Sequence, residues 1–587
     1  MKSFLKYTLA TITGFIISSI ILFVIMLGII GAIIASSDKE ESIKANTILL
    51  LEFDKPIPDR TSQNPLENLD LKNLKINTIV GLHDIIKNIK KAKIDTNIKG
   101  IYLKSGPIQA GIGTIEEIRN ALIDFKKSGK FIVSYADYFT HSSYYLATSA
   151  DSIFINPQGE LVFIGLRSET MFYKGLFEKL DIEPQIIRHG KFKSYVEPFI
   201  SDHMSDANRT QINTLLSSVW GHLLDGISSQ RHISVEDLKN MADNLTIRNA
   251  EAAKNNKLVD GIRYNDEIRS RLAKMSGVAS EKKLEFVSLE KYNKVDSHDS
   301  KQPDKKIALL YATGEINMGE GDENSIGAEG LSKAIRKARE DVNIKAIVLR
   351  INSPGGSSLA SDIIWRELVL TKKVKPIVVS MGSVAASGGY YIAAPANTIV
   401  ADATTITGSI GVFGMSFNVK NFFNKKLGIT TDVVKTNKHS DLGSIFRPLS
   451  PEEREIIQFE VENIYDTFIT HVAEGRKMTK AAVDSIGQGR VWSASDAQKL
   501  GLIDLIGDLN KSIEVAAKIA HLKDYQIVEL PKSESPLSLL FNDLSSKMRE
   551  KIVSSELGNE QIIYSNIKQV LNLQGVQALM PYQITIY

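Results

Sequence analysis

No cysteine occurs anywhere in the 587 residues. That absence excludes disulfides, thiolate-bound zinc, iron–sulfur clusters and a thiol nucleophile together. It also suits an oxidising space outside the cytoplasm. A surplus of charge of one sign is missing too: 71 Lys and Arg stand against 68 Asp and Glu, a formal net charge of +3. Nucleic-acid binders concentrate positive charge, so no nucleic acid is expected as the main partner. There is no His-Glu-x-x-His motif and no phosphate loop, and the 10 histidines are scattered. Neither a metal nor a cofactor is expected. The acidic loop 319–324 is read as solvated rather than as a cation site. What is present is ordinary for a globular chain, with 43% hydrophobic and 24% charged residues. The length is about four times the ~150-residue prior for one domain.

Long hydrophobic runs are also scarce, with one exception. No charged residue falls between Tyr7 and Ser37, and 15–34 is almost wholly apolar. About 20 apolar residues span a bilayer. Lys2 and Lys6 precede the run, while Asp38, Lys39, Glu40 and Glu41 follow it. The positive flank places the N-terminus in the cytoplasm and the rest outside. The expectation is a single pass through the lipid bilayer over residues 8–35. The small residues of 32–37 also fit a signal-peptide cleavage region. The run exceeds a typical h-region of ~7–15 residues, which favours a retained anchor.

The remainder contains an internal repeat. Ile98-Lys99-Gly100-Ile101-Tyr102-Leu103 matches Ile344-Lys345-Ala346-Ile347-Val348-Leu349 at an offset of 246 residues. Val133-Ser134 matches Val379-Ser380, Tyr144-Tyr145 matches Tyr390-Tyr391, and Ile164-Gly165 matches Ile410-Gly411, all at the same offset. Periodic self-similarity of this kind marks a duplicated unit. Each unit reads as short apolar strands alternating with helices, which argues for a buried, mainly parallel sheet. In the second unit the expected strands are 307–311, 346–351 and 376–380. The expected helices are 330–340, 358–370, 386–394 and 451–474, the last paired with 205–227 in the first unit. The organisation is therefore 1–45 as cytoplasmic tip and anchor, 46–295 as first half, 296–306 as linker, 307–525 as second half, and 526–587 as an extension. For the extension, a long helix and an oligomer contact are both open.

Two glycine-rich turns follow strands in the second half. Ser353-Pro354-Gly355-Gly356 lets the backbone approach a ligand and present free N–H groups. Ala386-Ser387-Gly388-Gly389-Tyr390 holds a serine where a helix begins, beside N–H groups that favour developing negative charge. Small residues at such turns also serve packing alone. The repeat weighs against that reading: Ser387 is matched by His141, and Gly355 and Gly356 by Gln109 and Ala110. The first half keeps the scaffold without the serine or the glycines. A serine nucleophile needs a base. His439, His471 and His521 lack an obvious orienting acid, though His439 stays open. A lysine kept neutral by burial is the alternative. Lys193 lies among Phe192, Tyr195, Val196 and Phe199, although Glu197 stands close enough in sequence to pair with it. Lys438 is the rival within the second half.

These motifs, with Thr407-Gly408-Ser409-Ile410-Gly411, Lys193-Ser194 and Glu197-Pro198-Phe199, resemble the signal peptide peptidase A (protease IV) family in its long two-half bacterial form. The resemblance covers residues 1 to about 525. It implies duplicated Clp protease/crotonase-like α/β domains, a Ser–Lys dyad and a homotetramer at the bacterial inner membrane. By the same resemblance Ser387 is the nucleophile, Lys193 the general base, and Ser409 orients the lysine. Gly355 or Gly356, with Gly388, would serve the oxyanion. The implied substrates are cleaved signal peptides and similar apolar unfolded segments. Two other classes remain: a catalytically silent crotonase-like scaffold on the membrane, and acyl-CoA chemistry, which an extracytoplasmic location disfavours.

Overall fold

The structure is a computed structural model that describes residues 2–37, 43–62, 69–70, 75–76, 79–295, 303–531 and 575–580. The acidic flank 38–41, most of the expected linker 296–306 and most of the extension 526–587 lie outside the described residues.

The two halves repeat one architecture. In the first, six strands pair in parallel in the order Gly261–Ile262, Ser152–Leu161, Phe131–Phe139, Ile98–Lys104, Thr47–Glu52, Phe286–Ser288. In the second, Ile406–Gly408, Ile377–Ala386, Ile344–Ser353, Lys306–Thr313 and Gln526–Leu530 follow the same order, again in parallel. Val491–Ser493 adds an antiparallel edge. The helices correspond as well. Asp206–Arg231 and Pro451–Arg476 each run 26 residues from a capping serine, Ser205 or Ser450, to a left-handed residue, His232 or Lys477. The expected duplicated α/β fold with parallel sheets is what forms.

Alternation along a strand sends its side chains into two cores. Ile347, Leu349 and Ile351 join the core under helices Ala328–Glu340 and Ser358–Lys372. Ala346 and Val348 face Leu509, Ile513, Ala516 and Ala517 of helix Leu509–Ile519. With helices on both faces the strand is almost wholly apolar, and each such Ile, Leu or Val contributes about 1.5–3 kcal/mol on burial.

The glycine-rich stretches differ from the expected turns. The strand expected at 376–380 continues to Ala386, and Gly355–Ser357 is itself a short strand. Missing β-carbons explain both. A Cβ on Gly382 would lie 3.2 Å from the Arg350 guanidinium and from Asn352. One on Gly356 would strike the Ile316 backbone, with which it pairs.

A third sheet ties the halves together. Its order is Gly321–Asp322, Ser325–Gly327, Glu315–Asn317, Gly355–Ser357, Val576–Leu579, Phe413–Asn418, Glu183–Arg188. The last strand belongs to the first half and pairs antiparallel with Phe413–Asn418 of the second. A buried ionic cluster makes a second join. Arg350 Nε lies 2.8 Å from Asp59 and its Nη2 2.6 Å from Glu117, both carboxylates from the first half. Asn352 Nδ2 also donates to Asp59, at 2.9 Å.

Lys2–Ser37 forms one helix of 36 residues. Part of its side chains lie outside the described residues, and among the described ones no helix is long and apolar enough to cross a membrane.

Candidate active site

Ser387 stands where the strand Ile377–Ala386 passes into the helix Gly388–Ala393. Its φ of +56° and ψ of −115° are sparsely populated for an L-residue, a strain of about 1–3 kcal/mol. The backbone holds it there: its N–H donates to the Gly408 carbonyl at 2.8 Å, and its own carbonyl accepts from the Tyr391 N–H at 2.8 Å. The first half shows what this geometry changes. There Thr140, with φ −80°, caps the equivalent helix by accepting from the Ser143 N–H. Ser387 makes no such cap bond, so its hydroxyl is directed elsewhere.

That direction is toward Lys193. After the strand Glu183–Arg188 the chain crosses to the second half, where the Phe192 N–H donates to the Gln488 carbonyl at 3.0 Å. Lys193 is then wholly buried, with Nζ 2.8 Å from Ser387 Oγ and 3.1 Å from both the carbonyl and the hydroxyl oxygen of Ser409. Burial alone pushes the amine well below the usual lysine range. A neutral amine has two N–H donors and one lone pair. The two donors are satisfied by the two Ser409 oxygens, which leaves the lone pair for the Ser387 hydroxyl proton. Ser409 has φ +49° and is fixed by its N–H donating to the Arg490 carbonyl at 2.7 Å.

Glu197 does not compete for the lysine. It accepts from Ser205 Oγ at 2.6 Å and Asn208 Nδ2 at 2.9 Å, and its carboxylate lies 3.9 Å from Arg188. The rival bases are engaged away from the buried serine. Lys438 is largely exposed and paired with Glu452, and His439 contacts Glu453 at 3.2 Å. His471 stacks on Trp365 and meets the Tyr391 hydroxyl at 2.9 Å. His521 closes the turn after helix Leu509–Ile519.

The three glycines divide. A Cβ on Gly355 would lie 2.7 Å from the Gly388 nitrogen, so these two backbones meet beside Ser387. Gly356 turns instead to Ile316 in the neighbouring strand. The Gly355 N–H donates to Ser353 Oγ at 3.2 Å.

Two positioning residues escaped sequence reasoning. Gln211 is fully buried; its Nε2 donates to the Phe192 carbonyl at 3.1 Å and Ser194 Oγ at 2.9 Å, and its Oε1 accepts from the Val491 N–H at 3.2 Å. Gly489, at φ +86°, packs against the lysine backbone. A Cβ there would lie 2.5 Å from Lys193 N and 2.7 Å from its Cα. Gly489→Ala is expected to displace Lys193 and lower kcat about a hundredfold, as misplacement by ~1 Å does. Steady-state kinetics beside a thermal melt checks this; unchanged kcat would show that the contact does not seat the lysine.

Known proteins are similar to this chain over most of its length. The profile of Peptidase family S49 matches residues 124–279 and again 370–523, one match in each half. The chain is 36% identical over 513 residues to a protein named serine protease SPPA, chloroplastic, from Arabidopsis thaliana, covering 86% of this chain and 75% of that one. It is 32% identical over 560 residues to protease 4 of Haemophilus influenzae, covering 90% of this chain and 89% of that one. A protein named putative signal peptide peptidase SppA, from Enterococcus faecium, is 35% identical over 231 residues, which is 38% of this chain and 67% of that one. With the family profile found in both halves and such relatives matched over most of their length, the chain belongs to peptidase family S49 and is a serine protease.

Proposed function

We propose that the protein is a membrane-anchored endopeptidase in which Ser387 and Lys193 act as a dyad on cleaved signal peptides and similar apolar, unfolded segments. The observation that carries the reading is the 2.8 Å approach of Lys193 Nζ to Ser387 Oγ in a pocket whose burial lowers the lysine pKa and so favours the neutral amine. In the first step the amine takes the hydroxyl proton as Oγ attacks the scissile carbonyl carbon. The ammonium then gives that proton to the departing amine, and the acyl-enzyme forms. Water repeats the cycle, losing its proton to Lys193 and releasing the acid. Ser409 supplies the two oxygens that stabilise the transient ammonium. Gly388, next to Ser387 and against Gly355, brings its backbone N–H to the developing oxyanion, while the Gly355 N–H is held by Ser353 Oγ.

Other features support the finer points. The 36-residue helix Lys2–Ser37 extends about 54 Å at ~1.5 Å per residue, against a hydrocarbon core of ~30 Å. Its apolar run and lysine flank agree with a single pass in a bacterial inner membrane, N-terminus inside. The Enterococcus faecium relative's name points to signal peptides, which are rich in apolar residues. Exposed Phe459 and Ile456 on helix Pro451–Arg476, with Val433 and Val434 in the preceding loop, offer apolar surface to neighbouring copies of a homotetramer.

A serine-directed acylating probe tests the reading. Labelling is expected at Ser387 and is expected to quicken as pH rises through the lowered lysine pKa. Lys438→Met is expected to keep most of the labelling rate and most of the peptidase activity. Loss of activity in Lys438→Met with retention in Lys193→Met would reassign the base.

A further inference from the structure

One short stretch of the second half reaches every group of the dyad. The Gln488 carbonyl accepts from the Phe192 N–H at 3.0 Å, the Gly489 N–H donates to the Ile410 carbonyl at 2.7 Å, and the Arg490 carbonyl accepts from the Ser409 N–H at 2.7 Å. Val491 then pairs with Gly408, whose carbonyl holds the Ser387 N–H. The lysine runs alongside this stretch. A Cβ on Gly489 would lie 2.7 Å from Lys193 Cβ, and one on Gly411 would lie 3.4 Å from its Cδ. The cover over a wholly buried lysine is thus bare backbone at both points, so its tightness depends on how firmly 488–490 is held down.

Arg490 is placed to hold it. Its guanidinium carbon lies 4.0 Å from the centre of the Trp492 ring and 5.1 Å from that of Phe192, the residue just before the lysine. One ring belongs to the second half and the other to the first. Trp492 Nε1 donates to the Ile486 carbonyl at 3.0 Å, which fixes the indole. Among the described residues the Arg490 side chain makes no hydrogen bond or ion pair, and its Nε is enclosed. An arginine so placed is held by the faces of its two rings, an attraction that strengthens as water is excluded. We propose that Arg490 is a positioning residue that clamps 488–490 against Phe192 and so keeps water from the Lys193 amine.

This role rests on the reading of Lys193 as the general base. The side chains at its amine are neutral, Ser387 and Ser409. Of the charged side chains nearby, Arg188 donates to the Lys193 carbonyl at 3.3 Å, and Glu197 is held by Ser205 and Asn208. Burial is therefore what lowers the lysine pKa, and admitting water would return it toward the ordinary value.

The pH profile of kcat/KM for an apolar peptide separates such a clamp from a contact that serves stability alone. In Arg490→Met the ascending limb is expected to move up by about one pH unit, so that kcat/KM falls about tenfold on the acid side and recovers above the limb. Trp492→Leu removes one of the two ring faces and is expected to move the limb in the same direction, which guards against misfolding of the first variant. Trp492→Phe keeps a ring there and is expected to move it less. Combining Arg490→Met with Trp492→Leu is expected to move it no further than the larger single shift, because the two side chains form one contact. A deficit equal at every pH, or a limb unmoved in both variants, overturns the inference. Lys193→Met, measured in parallel, tells the two failures apart. An ascending limb that persists unaltered there sinks the dyad reading and the clamp with it. A limb that vanishes there yet stays fixed in Arg490→Met and Trp492→Leu sinks the clamp alone.

Discussion

Lys193→Met is expected to lower kcat/KM by at least about a thousandfold, within the range that a general base contributes. Methionine has the length and apolar stem to fill the same space, so the loss isolates the amine. Ser387→Ala is expected to match it, and the double variant to cost little more, because a nucleophile and its base act as one unit. The pH dependence follows from the direction of the lysine shift. Desolvation favours the neutral amine, so the working form grows as pH rises through the lowered pKa. The ascending limb of kcat/KM is therefore expected to disappear from whatever residual activity Lys193→Met retains. Stability supplies an independent readout. Between the lowered folded pKa and the unfolded value of about 10.4, the unfolded chain binds one more proton than the native one. Stability consequently rises with pH across that window, and Lys193→Met is expected to lose that rise. At neutral pH the variant is expected to melt no lower than the parent, since it no longer withholds a proton from a buried lysine. A melting temperature well below the parent's would mean that inactivity reflects misfolding, and an unaltered pH profile would remove Lys193 from the chemistry.

Much of this site could be read from the chain because its parts carry local signals. Ser387 stands among small residues after an apolar strand, and the constant offset exposes His141 as its replacement in the first half. The duplicated α/β halves were legible for the same reason: strands such as Ile98–Lys104 and Ile344–Ser353 begin at matching positions as largely apolar runs in the same setting. What stayed hidden depends on contacts remote in sequence. Glu197 is four residues from Lys193, yet Ser205 and Asn208 claim its carboxylate once helix Asp206–Arg231 folds back on it. Gln211 meets the Val491 backbone, and Gly489 meets Lys193, only through the docking of the two halves. Gly355 and Gly356 read as a turn because glycine is a weak strand former. Their strand exists through Glu315–Asn317 on one side and Val576–Leu579 on the other, neither of which local periodicity connects to them.

The second large effect is expected at Arg350. This guanidinium is fully buried and meets Asp59 at 2.8 Å and Glu117 at 2.6 Å, with Nη1 donating to Ser380 Oγ at 3.1 Å. Asp402 belongs to the same electrostatic group, and burial pushes its carboxyl and that of Glu117 upward while Arg350 pulls both down. Arg350→Met leaves these carboxylates buried without their cation, a loss of about 3–5 kcal/mol for breaking a buried pair from one side. Because Asp59 and Glu117 come from the first half, the damage is expected to loosen the docking that brings Lys193 to Ser387. Activity is then expected to fall at temperatures where each half still shows native secondary structure by circular dichroism. The sign of the pH response is set by the raised carboxyls. A raised folded pKa means that the native state holds more protons than the unfolded one above about pH 4, so stability falls as pH climbs through the raised values. Removing the arginine raises them further and is expected to steepen that fall, so the deficit of Arg350→Met is smaller at pH 5 than at pH 8. Combining Arg350→Met with Asp59→Asn and Glu117→Gln removes the charges that the cation balanced and is expected to recover most of the lost stability. Denaturant unfolding of the single and triple variants at both pH values decides the matter. A triple variant no more stable than the single one, with equal deficits at pH 5 and pH 8, would show that Arg350 acts by packing rather than by holding the two halves' charges together.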